Sequence, residues 1–434
     1  MSDDLARFLF ENPTPFHTVE SVGDILQRCG FSQLEEGDSW AALRASRPVQ
    51  GFFCRRGGSL IAWIHSSKRP RGFRLAGAHT DSPCFKLKLE SAHFSCGVLA
   101  AHVSVYGSPI FATYTDRGLA VAGIALPASP TGPAEAGEPR YIHSGQAVAM
   151  LPNLAIHLNR EVNSKLSYNP QTQLKAVFGS VSPGNDKTSD ETAAAWLRRK
   201  LGLREGEVCD LQLCSSQKPA RLGREGDLFS GARLDDTAMV HLILNELCQR
   251  SEGGPSHSWP VAIFCNGEEV GSRTYEGAAS NFTSTVLRRI VGVSGEGEPL
   301  EELFPRAMAH SFFLSLDGAH ASHPSYPDAF DANYEVKMGG GPALKLPNGA
   351  SYSSEAFSIA WIRKVAALAG CNLQSAVPRS DMATGSTIGP ILSSCLGVRG
   401  VDIGLPMYAM HSIQETISLR DYGALQNLTR EYFR

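Results

Sequence analysis

The residues of this sequence best suited to chemistry are aspartates, glutamates and histidines. In His79-Thr-Asp81, an imidazole lies two residues before a carboxylate. A metal-binding histidine usually donates its second ring N–H to a carboxylate, so this tripeptide could supply a ligand and the group that orients it. Such tripeptides are also common in surface turns, where the aspartate accepts backbone N–H groups. The tripeptide alone leaves both interpretations open.

A second acidic pair, Glu268-Glu269, lies between Gly267 and Gly271. Adjacent carboxylates raise each other's pKa, so the pair is unfavourable unless a cation lies nearby. One carboxylate could bind a metal while the other serves as the base for metal-bound water. The alternative is a solvated acidic loop.

Three further sites complete the set: Asp235-Asp236, Asp317 and His411. Each has an ordinary explanation, because an aspartate at a helix start is most often a cap and a lone histidine is most often structural. Together, two histidines and several carboxylates form a mixed donor set that suits a pair of zinc ions bridged by one carboxylate. H-E-x-x-H, G-x-S-x-G and P-loop motifs do not occur. Metal-assisted hydrolysis is therefore the leading reaction class.

Three apolar runs lead into these residues, at 72–81, 260–269 and 311–318. Runs of four to six apolar residues without alternation are typical of strands buried on both faces. Helices are predicted between and after them, at Leu234–Arg250, Ala356–Leu368 and Leu419–Phe433. This order predicts an α/β layer fold, in which ligands gather beyond the carboxyl ends of the strands. The acidic and imidazole residues follow those ends.

Residues 91–231 have a different pattern, in which apolar and polar residues alternate. The pattern predicts strands at 101–106, 110–115, 174–178 and 208–213. Two stretches rich in turn-forming residues, 127–139 and 182–187, predict exposed loops. We therefore predict a β-rich domain at 91–231, inserted into an α/β domain formed by residues 1–90 and 232–434.

The composition limits the class of protein. The 434 residues are 42% hydrophobic and 19% charged, enough for two or three domains with large cores. Lysine and arginine number 40 against 43 aspartates and glutamates, which argues against a general nucleic-acid binder. Ten cysteines without a C-x-x-C pair are typical of a reducing compartment. With no signal-like N-terminus or membrane-length apolar segment, we expect a cytoplasmic protein with no membrane partner.

Seven stretches of the chain resemble the M18 family of metallo-aminopeptidases, which includes the aspartyl aminopeptidases. They occur in family order, and the resemblance runs over nearly the whole chain, from Asn12 to Ser418. The stretches are Gly77-Ala-His-Thr-Asp-Ser-Pro83, Leu154-Ala-Ile-His-Leu158, Ala232-Arg-Leu-Asp235, Glu268-Glu-Val-Gly-Ser272, Asp317-Gly-Ala-His-Ala-Ser-His-Pro324, Gly385-Ser-Thr-Ile-Gly-Pro390 and Met410-His-Ser412.

The resemblance implies a centre of two zinc ions and assigns their ligands. Asp235 would bridge the two ions. One ion would also take His79 and Asp317, and the other Glu269 and His411. Manganese or cobalt could also fill such a carboxylate-rich site.

The resemblance also assigns roles to residues beside the metal. Glu268 would be the general base, and Asp81 would orient His79. At Asp236 the chain departs from the asparagine found in many relatives. An extra carboxylate there would alter the metal affinity or simply cap the helix.

Three further residues match family positions near the substrate. His157 matches a histidine that reaches a neighbouring subunit's active site, with a packed core histidine as the alternative. His320 and Lys345 match residues near the substrate pocket, with a turn residue and a solvated charge as the alternatives. Some family members prefer acidic first residues, and Lys345 could pair with such a side chain.

The resemblance implies an α/β/α zinc-peptidase domain with an inserted β-rich domain that drives dimerisation and, in relatives, assembly into dodecamers. The predicted function is removal of N-terminal amino acids from peptides with a free N-terminus. A metal-bridging hydroxide would attack, with Glu268 as base. The alternatives are a related dinuclear zinc deacylase or carboxypeptidase, and a non-catalytic scaffold that assembles through its inserted domain.

Overall fold

The computed structural model describes residues 2–41, 43, 49–66, 71–128, 137–180, 192–250, 258–294, 298–347 and 349–434. These residues form two compact units. The first contains Met1–Asp81, Pro219–Met410 and Glu415–Arg434, and the second Ser82–Lys218 and His411–Gln414. The predicted loop at 182–187 lies outside the described residues, as does 129–136 of the predicted loop at 127–139.

The described helices and strands are numbered here in chain order. The helices are α1 (Ser2–Glu11), α2 (Pro15–Arg28), α3 (Phe111–Tyr114), α4 (Ala193–Lys200), α5 (Leu234–Arg250), α6 (Phe282–Ser294), α7 (Leu300–Ala309), α8 (Ala356–Leu368), α9 (Ile388–Leu396) and α10 (Leu419–Phe433). The strands are β1 (Ser32–Gln33), β2 (Val49–Arg56), β3 (Ser59–Ser66), β4 (Gly72–His79), β5 (Cys84–Leu87), β6 (His93–Ser95), β7 (Val98–Tyr106), β8 (Leu119–Pro127), β9 (Arg140–His143), β10 (Lys175–Ser180), β11 (Glu207–Ser215), β12 (Ala220–Leu222), β13 (Leu228–Gly231), β14 (Ser258–Cys265), β15 (Phe312–His320), β16 (Ala343–Lys345), β17 (Gln374–Ala376), β18 (Arg399–Tyr408) and β19 (Glu415–Ser418).

The first unit is built on one mixed sheet. Its strand order is β1-β2-β3-β14-β4-β15-β18-β19-β13-β12, with β16 on β18 and β17 on β16. The four central strands β14, β4, β15 and β18 are parallel. Their carboxyl ends therefore lie at one edge of the sheet, where α/β proteins place their ligand sites. His79 is paired with Cys265 at this edge.

Helices cover both faces of this sheet. Successive residues of the central strands point to opposite faces, and the helices bury the apolar side chains on each face. In β14, Ala262 belongs to one apolar cluster and Ile263 to the other. The first cluster packs against α1, α2, α5, α8 and α10. The second packs against α6, α7 and α9. The unit is an α/β/α sandwich, and the predicted α/β fold class is confirmed.

The three predicted apolar strands and the three predicted helices are confirmed. The strands are β4, β14 and β15, and the helices α5, α8 and α10 have the predicted bounds. In the described residues, no helix is long and apolar enough to cross a membrane.

The second unit contains a mainly antiparallel sheet in the order β10-β7-β5-β11-β8-β9, with β6 on β7. The predicted strands at 101–106, 174–178 and 208–213 correspond to β7, β10 and β11. The predicted strand at 110–115 is wrong, because Phe111–Tyr114 form the helical turn α3. Local bonds favour the turn: the hydroxyl of Thr113 donates to the carbonyl of Ile110, and Phe111 and Tyr114 both contact the ring of Phe85.

The boundaries between the two units lie at different positions along the chain from the predicted domain boundaries. The first change of unit lies at 81/82 instead of 90/91, because β5 pairs with β7 and β11. The second lies at 218/219 instead of 231/232, because β12 and β13 pair, through β19, with the first sheet. That the second unit is an inserted dimerisation domain stays a prediction.

Candidate metal centre

His79 ends β4 and is almost fully buried. Its Nδ1 lies 3.0 Å from the carbonyl oxygen of Asp81. A carbonyl oxygen only accepts, so Nδ1 carries the proton and Nε2 faces the carboxylates. Nε2 lies 3.2 Å from Asp235 Oδ1 and 3.7 Å from Asp317 Oδ1. The ring is therefore oriented to offer Nε2 to a metal beside two carboxylates.

Asp235 and Asp236 lie at the kinked start of α5, and both are buried. The backbone of Asp235 is not helical there, with φ −88° and ψ 104°, and its peptide bond to Asp236 is cis. The N–H of Asp235 donates to Glu415 Oε2 at 3.0 Å. The N–H of His79 donates to Asp236 Oδ2 at 3.0 Å. Asp236 is therefore bonded to the backbone of a predicted ligand.

Glu268 and Glu269 lie on a single helical turn that follows β14. Gly267 and Gly271 flank the turn with φ values of 81° and 94°, a left-handed conformation that side chains disfavour. The carboxylate of Asp81 accepts the N–H of Glu268 at 3.0 Å and that of Glu269 at 3.1 Å. Asp81 thus positions both glutamates through their backbone, a role that the sequence interpretation missed.

The contact between Asp81 and His79 differs in detail from the predicted one. Its carbonyl oxygen is the group within hydrogen-bond distance of His79 Nδ1, while its carboxylate oxygen Oδ1 lies 3.5 Å away. The backbone therefore fixes the tautomer of the imidazole more directly than the carboxylate does.

Asp317 lies near the end of β15 and is paired with a buried lysine. Lys345 Nζ donates to Asp317 Oδ2 at 2.8 Å. The N–H of Gly318 donates to Asp317 Oδ1 at 2.7 Å. Lys345 is only 7% exposed, so the alternative of a solvated charge is wrong.

The predicted residues of the first unit form two overlapping groups of donors. One contains His79, Glu268 and Glu269, and the other His79, Asp235 and Asp317. In each group, one donor atom per residue lies within 4.8 Å of the others. Nitrogen and oxygen donors at this spacing are suited to zinc.

The charges of this cluster also fit divalent cations. Six carboxylates lie in or beside it, and the buried ammonium of Lys345 bonds to one of them, Asp317. The carboxylates are those of Asp81, Asp235, Asp236, Glu268, Glu269 and Asp317. Such a concentration of buried negative charge is costly unless cations balance it. The donor set therefore fits the predicted metal.

The pKa values of the cluster have identifiable physical causes. Burial, reinforced by Asp317 and Asp235, raises the pKa of Glu268 to about 7. Burial and Asp235 raise the pKa of Glu269 to about 10. Although burial alone would raise the pKa of Asp317, Lys345 holds it well below its usual range. The two glutamates and Asp317 thus have opposite pKa shifts, because the ammonium of Lys345 lies 2.8 Å from the carboxylate of Asp317.

His411, His157 and His320 are the remaining predicted site residues. His411 belongs to the second unit, where its Nδ1 lies 3.1 Å from the carbonyl oxygen of Ser108, which leaves Nε2 as the nitrogen suited to a metal. His157 is exposed in the second unit, so the alternative of a core histidine is wrong. His320 is exposed at the end of β15.

The family of the chain follows from comparison with known proteins. Residues 8–433 match the family model of the aminopeptidase I zinc metalloproteases, M18. The chain is also 35% identical to a probable M18 family aminopeptidase 2 of Pseudomonas paraeruginosa, over 100% of this chain and 98% of that protein. The chain belongs to the M18 family. It is therefore a zinc metallo-aminopeptidase, as the sequence predicts.

Solved structures agree with this M18 assignment. The chain is similar to one in a structure described as the cryo-EM structure of the Ape4 and Nbr1 complex, with a TM-score of 0.92 and 29% identity. The match covers 100% of this chain and 85% of that one. It also shares the fold of a chain described as the S. cerevesiae mApe1 dodecamer, with a TM-score of 0.81 and 22% identity, over 100% and 96% of the two chains.

Proposed function

We propose that this M18 enzyme uses two zinc ions to remove the first residue of peptides, with Asp235 as the bridging ligand. The observation that supports two ions is the number of donors: His79, Asp235, Glu268, Glu269 and Asp317 form two groups of closely spaced donor atoms. Five donors exceed the four ligands that a single tetrahedral zinc ion takes. Family resemblance adds His411 as a further ligand. In this scheme His79, Asp235, Glu269, Asp317 and His411 hold the metal.

The protein groups around the substrate have separate tasks. Zinc, when bound, would polarise the scissile carbonyl and lower the pKa of water. Glu268 takes the proton of the attacking water and returns it to the departing amine. Its place on the same turn as Glu269, held by two hydrogen bonds to Asp81, supports this role.

The substrate-contacting residues are proposed from family resemblance. His157 donates a hydrogen bond in the active site of a neighbouring subunit, and His320 lines the substrate pocket. The exposure of both imidazoles is compatible with contacts to other molecules. A free α-amino group on the substrate would restrict cleavage to the first peptide bond.

We propose a preference for acidic first residues on the grounds of family resemblance. It depends on a cation that faces the substrate side chain, and Lys345 was the predicted cation. In the structure Lys345 is bonded to Asp317. A panel of aminoacyl arylamides tests the preference, and faster turnover of leucyl than of aspartyl or glutamyl substrates would refute it.

Self-assembly is proposed on the same family grounds, since one similar structure is described as a dodecamer. In the second unit, exposed apolar residues flank His157: Leu154, Ile156 and Leu158. Contiguous exposed apolar surface is typical of protein interfaces. We expect a homododecamer that uses this unit for self-association.

The general-base role is tested by Glu268→Gln, with Glu301→Gln, at an exposed position of α7, as the matched control. Removal of a general base costs about 10²–10⁴-fold in turnover. We expect Glu268→Gln to lose activity on this scale and to keep the wild-type zinc content, measured by mass spectrometry, while the control keeps both.

Three results would contradict the proposal. Undiminished turnover in Glu268→Gln would remove Glu268 from the role of base. Wild-type zinc content near one per chain would contradict a dinuclear centre. Equal hydrolysis of N-acylated and free-amine peptides would favour the deacylase alternative.

A further inference from the structure

Asp402 of β18 carries a fully buried carboxylate that the proposed reaction does not use. Its Oδ2 accepts the N–H and the hydroxyl of Ser353, each at 2.6 Å. Its Oδ1 accepts the hydroxyl of Thr387 at 2.5 Å. The N–H of Asp402 itself donates to the hydroxyl of Ser354 at 3.0 Å. A buried carboxylate is costly without such donors, so these hydrogen bonds are the reason that it is tolerated there.

The donors to this carboxylate come from two loops. Ser353 lies between β16 and α8, and Thr387 lies between β17 and α9. The loops also bond to each other, because the hydroxyl groups of Ser351 and Thr384 are 3.1 Å apart and the hydroxyl of Ser386 donates to the carbonyl of Ser351. A single carboxylate of the sheet therefore fixes the place where the two loops meet.

Two glycines leave room for this contact. A Cβ atom at Gly389, in the first turn of α9, would collide with Oδ1 of Asp402. A Cβ atom at Gly400 of β18 would come within 2.6 Å of Ser353 Oγ. Both loops thus close directly on β18, and close packing of this kind holds them in one position.

Asp402 points to the same face of the sheet as Lys345. In β18, Val401 and Ile403 belong to the first apolar cluster, so Asp402 between them points to the face that α9 covers. In β16, Leu344 belongs to the first cluster, which places the next residue, Lys345, on the face of Asp402. The two loops therefore meet on the side of the sheet where the lysine lies.

Tyr352 connects this network with the proposed substrate pocket. It immediately precedes Ser353, and its ring centre lies 5.4 Å from the ammonium of Lys345. That ammonium lies 2.8 Å from the proposed zinc ligand Asp317, and family resemblance places Lys345 near the substrate pocket. The bonds from Ser353 to Asp402 therefore set the position of an aromatic ring at this pocket.

We propose that Asp402 is a positioning residue for the substrate pocket, which holds Tyr352 and the loop before α9 beside Lys345 and does not itself touch the substrate. This inference rests on the proposed function, in which the first residue of the peptide lies beside Lys345. The walls of such a pocket act through contacts with the side chain of that residue. Their displacement should therefore cost most for a long side chain and least for alanine.

The full-length variant Asp402→Asn tests the proposal. Asparagine has nearly the same size, but its NH₂ group replaces one acceptor oxygen, so it cannot accept the hydrogen bonds of both loops. The measurement is kcat/KM on leucyl, glutamyl and alanyl arylamides, with zinc in excess. We expect losses of about 10–100-fold on the leucyl and glutamyl substrates, and of at most about 3-fold on the alanyl substrate. The zinc content, measured by mass spectrometry, should equal that of wild type.

Thr387→Val carries the test if Asp402→Asn does not fold. It removes the hydroxyl that donates to Asp402 Oδ1 and keeps the size of the side chain. We expect smaller losses, of about 3–10-fold on the leucyl and glutamyl substrates, and none on the alanyl substrate. Thr429→Val is the matched control, because Thr429 is also buried and its hydroxyl donates to the carbonyl of Leu425 in α10 at 3.0 Å. The control should match wild type on all three substrates.

Equal losses on all three substrates would overturn the positioning role, because a general structural defect does not depend on the first side chain. Unchanged kcat/KM on the leucyl and glutamyl substrates would also overturn it, as would loss of zinc from Asp402→Asn or a control that falls as much as Thr387→Val. Failure of the proposed function is distinct, because the wild-type enzyme itself would then lack zinc or would fail to cleave free-amine peptides.

Discussion

At the scale of single residues, buried aspartates hold the proposed metal ligands and the proposed base through their backbone N–H groups. Asp81 accepts the N–H groups of Glu268 and Glu269, and Asp236 accepts that of His79. These bonds join turns that follow different strands of the sheet. The geometry of the proposed ligands therefore depends on residues that need not touch the metal.

Asp236 gives a direct test of this dependence. Asparagine at this position keeps an oxygen that can accept the N–H of His79, whereas alanine removes it and leaves a cavity. We expect Asp236→Asn to stay within a few-fold of wild type in zinc affinity and turnover. Asp236→Ala should lose about 10–100-fold in zinc affinity, measured by chelator competition.

Asp421 provides the matched control for Asp236→Ala. It is also buried and also accepts backbone N–H groups, those of Gly339 and Gly341. Asp421→Ala should lower stability and leave the zinc affinity unchanged. Equal zinc affinity in Asp236→Ala and wild type would show that the bond to His79 does not position the ligand.

The sequence predicted which residues meet at the centre of the first unit better than it predicted how they are held. His79, Asp235, Glu268, Glu269 and Asp317 could be recognised because each follows an apolar run or begins a helix. The bond from Asp235 to Glu415 carries no such local signal, because Glu415 is 180 residues away. The burial of Lys345 was also missed, since an exposed lysine is the default expectation.

At the scale of elements, the apolar runs predicted three of the four central strands, β4, β14 and β15, because these strands are buried on both faces. The fourth, β18, was not predicted. The strand predicted from alternation at 110–115 was wrong, because Phe111–Tyr114 form the helical turn α3. Hydroxyl groups of Thr113 and Thr115 donate to carbonyls three residues earlier and favour the turn. Alternation over six residues cannot distinguish a strand from such a turn, which is fixed by packing on Phe85.

The packing of β2, β3 and β14 predicts a pH dependence of stability. His65 of β3 is buried against the rings of Phe52 and Trp259. Burial lowers its pKa from the ordinary value of 6.5 to about 4. Because the folded pKa is below the unfolded one, this contribution is fully present above pH 6.5 and is lost as the pH falls towards 4. The loss amounts to about 3 kcal/mol at most.

His65→Leu removes the titrating group, so its free energy of unfolding should depend less on pH than that of wild type between pH 6.5 and 4. Urea unfolding of both proteins after zinc removal measures the difference. His310→Leu, at an exposed histidine of the same unit, should follow wild type. Parallel pH profiles for His65→Leu and wild type would contradict the assigned cause.

At the scale of the whole molecule, alternation and composition predicted that the chain contains a β-rich part, but its limits lie elsewhere. Strand pairing decides them: β5 pairs within the second sheet and β13 within the first, although both occur near the predicted boundaries. Pairing partners distant in sequence leave no mark on local hydrophobic patterns. Local hydrophobic patterns do not predict the assembly of the chain either, which an experiment can test.

The final prediction separates assembly from catalysis. Substitution of Leu154, Ile156 and Leu158 by serine removes exposed apolar side chains that are 59%, 49% and 74% accessible. If these residues bind a second copy, light scattering after size exclusion should show smaller particles than wild type, because the interface loses apolar area. Leu368→Ser, at an equally exposed leucine of α8, should leave the assembly unchanged.

His157 lies among these apolar residues, so its own substitution distinguishes the proposed role in catalysis from the proposed role in assembly. His157→Ala should keep the wild-type particle size and zinc content but lose turnover, because the imidazole is proposed to act in a neighbouring active site. The triple serine variant should lose turnover together with assembly, since the imidazole is then no longer delivered to a neighbour. Full turnover in small particles would show that each chain works alone and that His157 has no catalytic role.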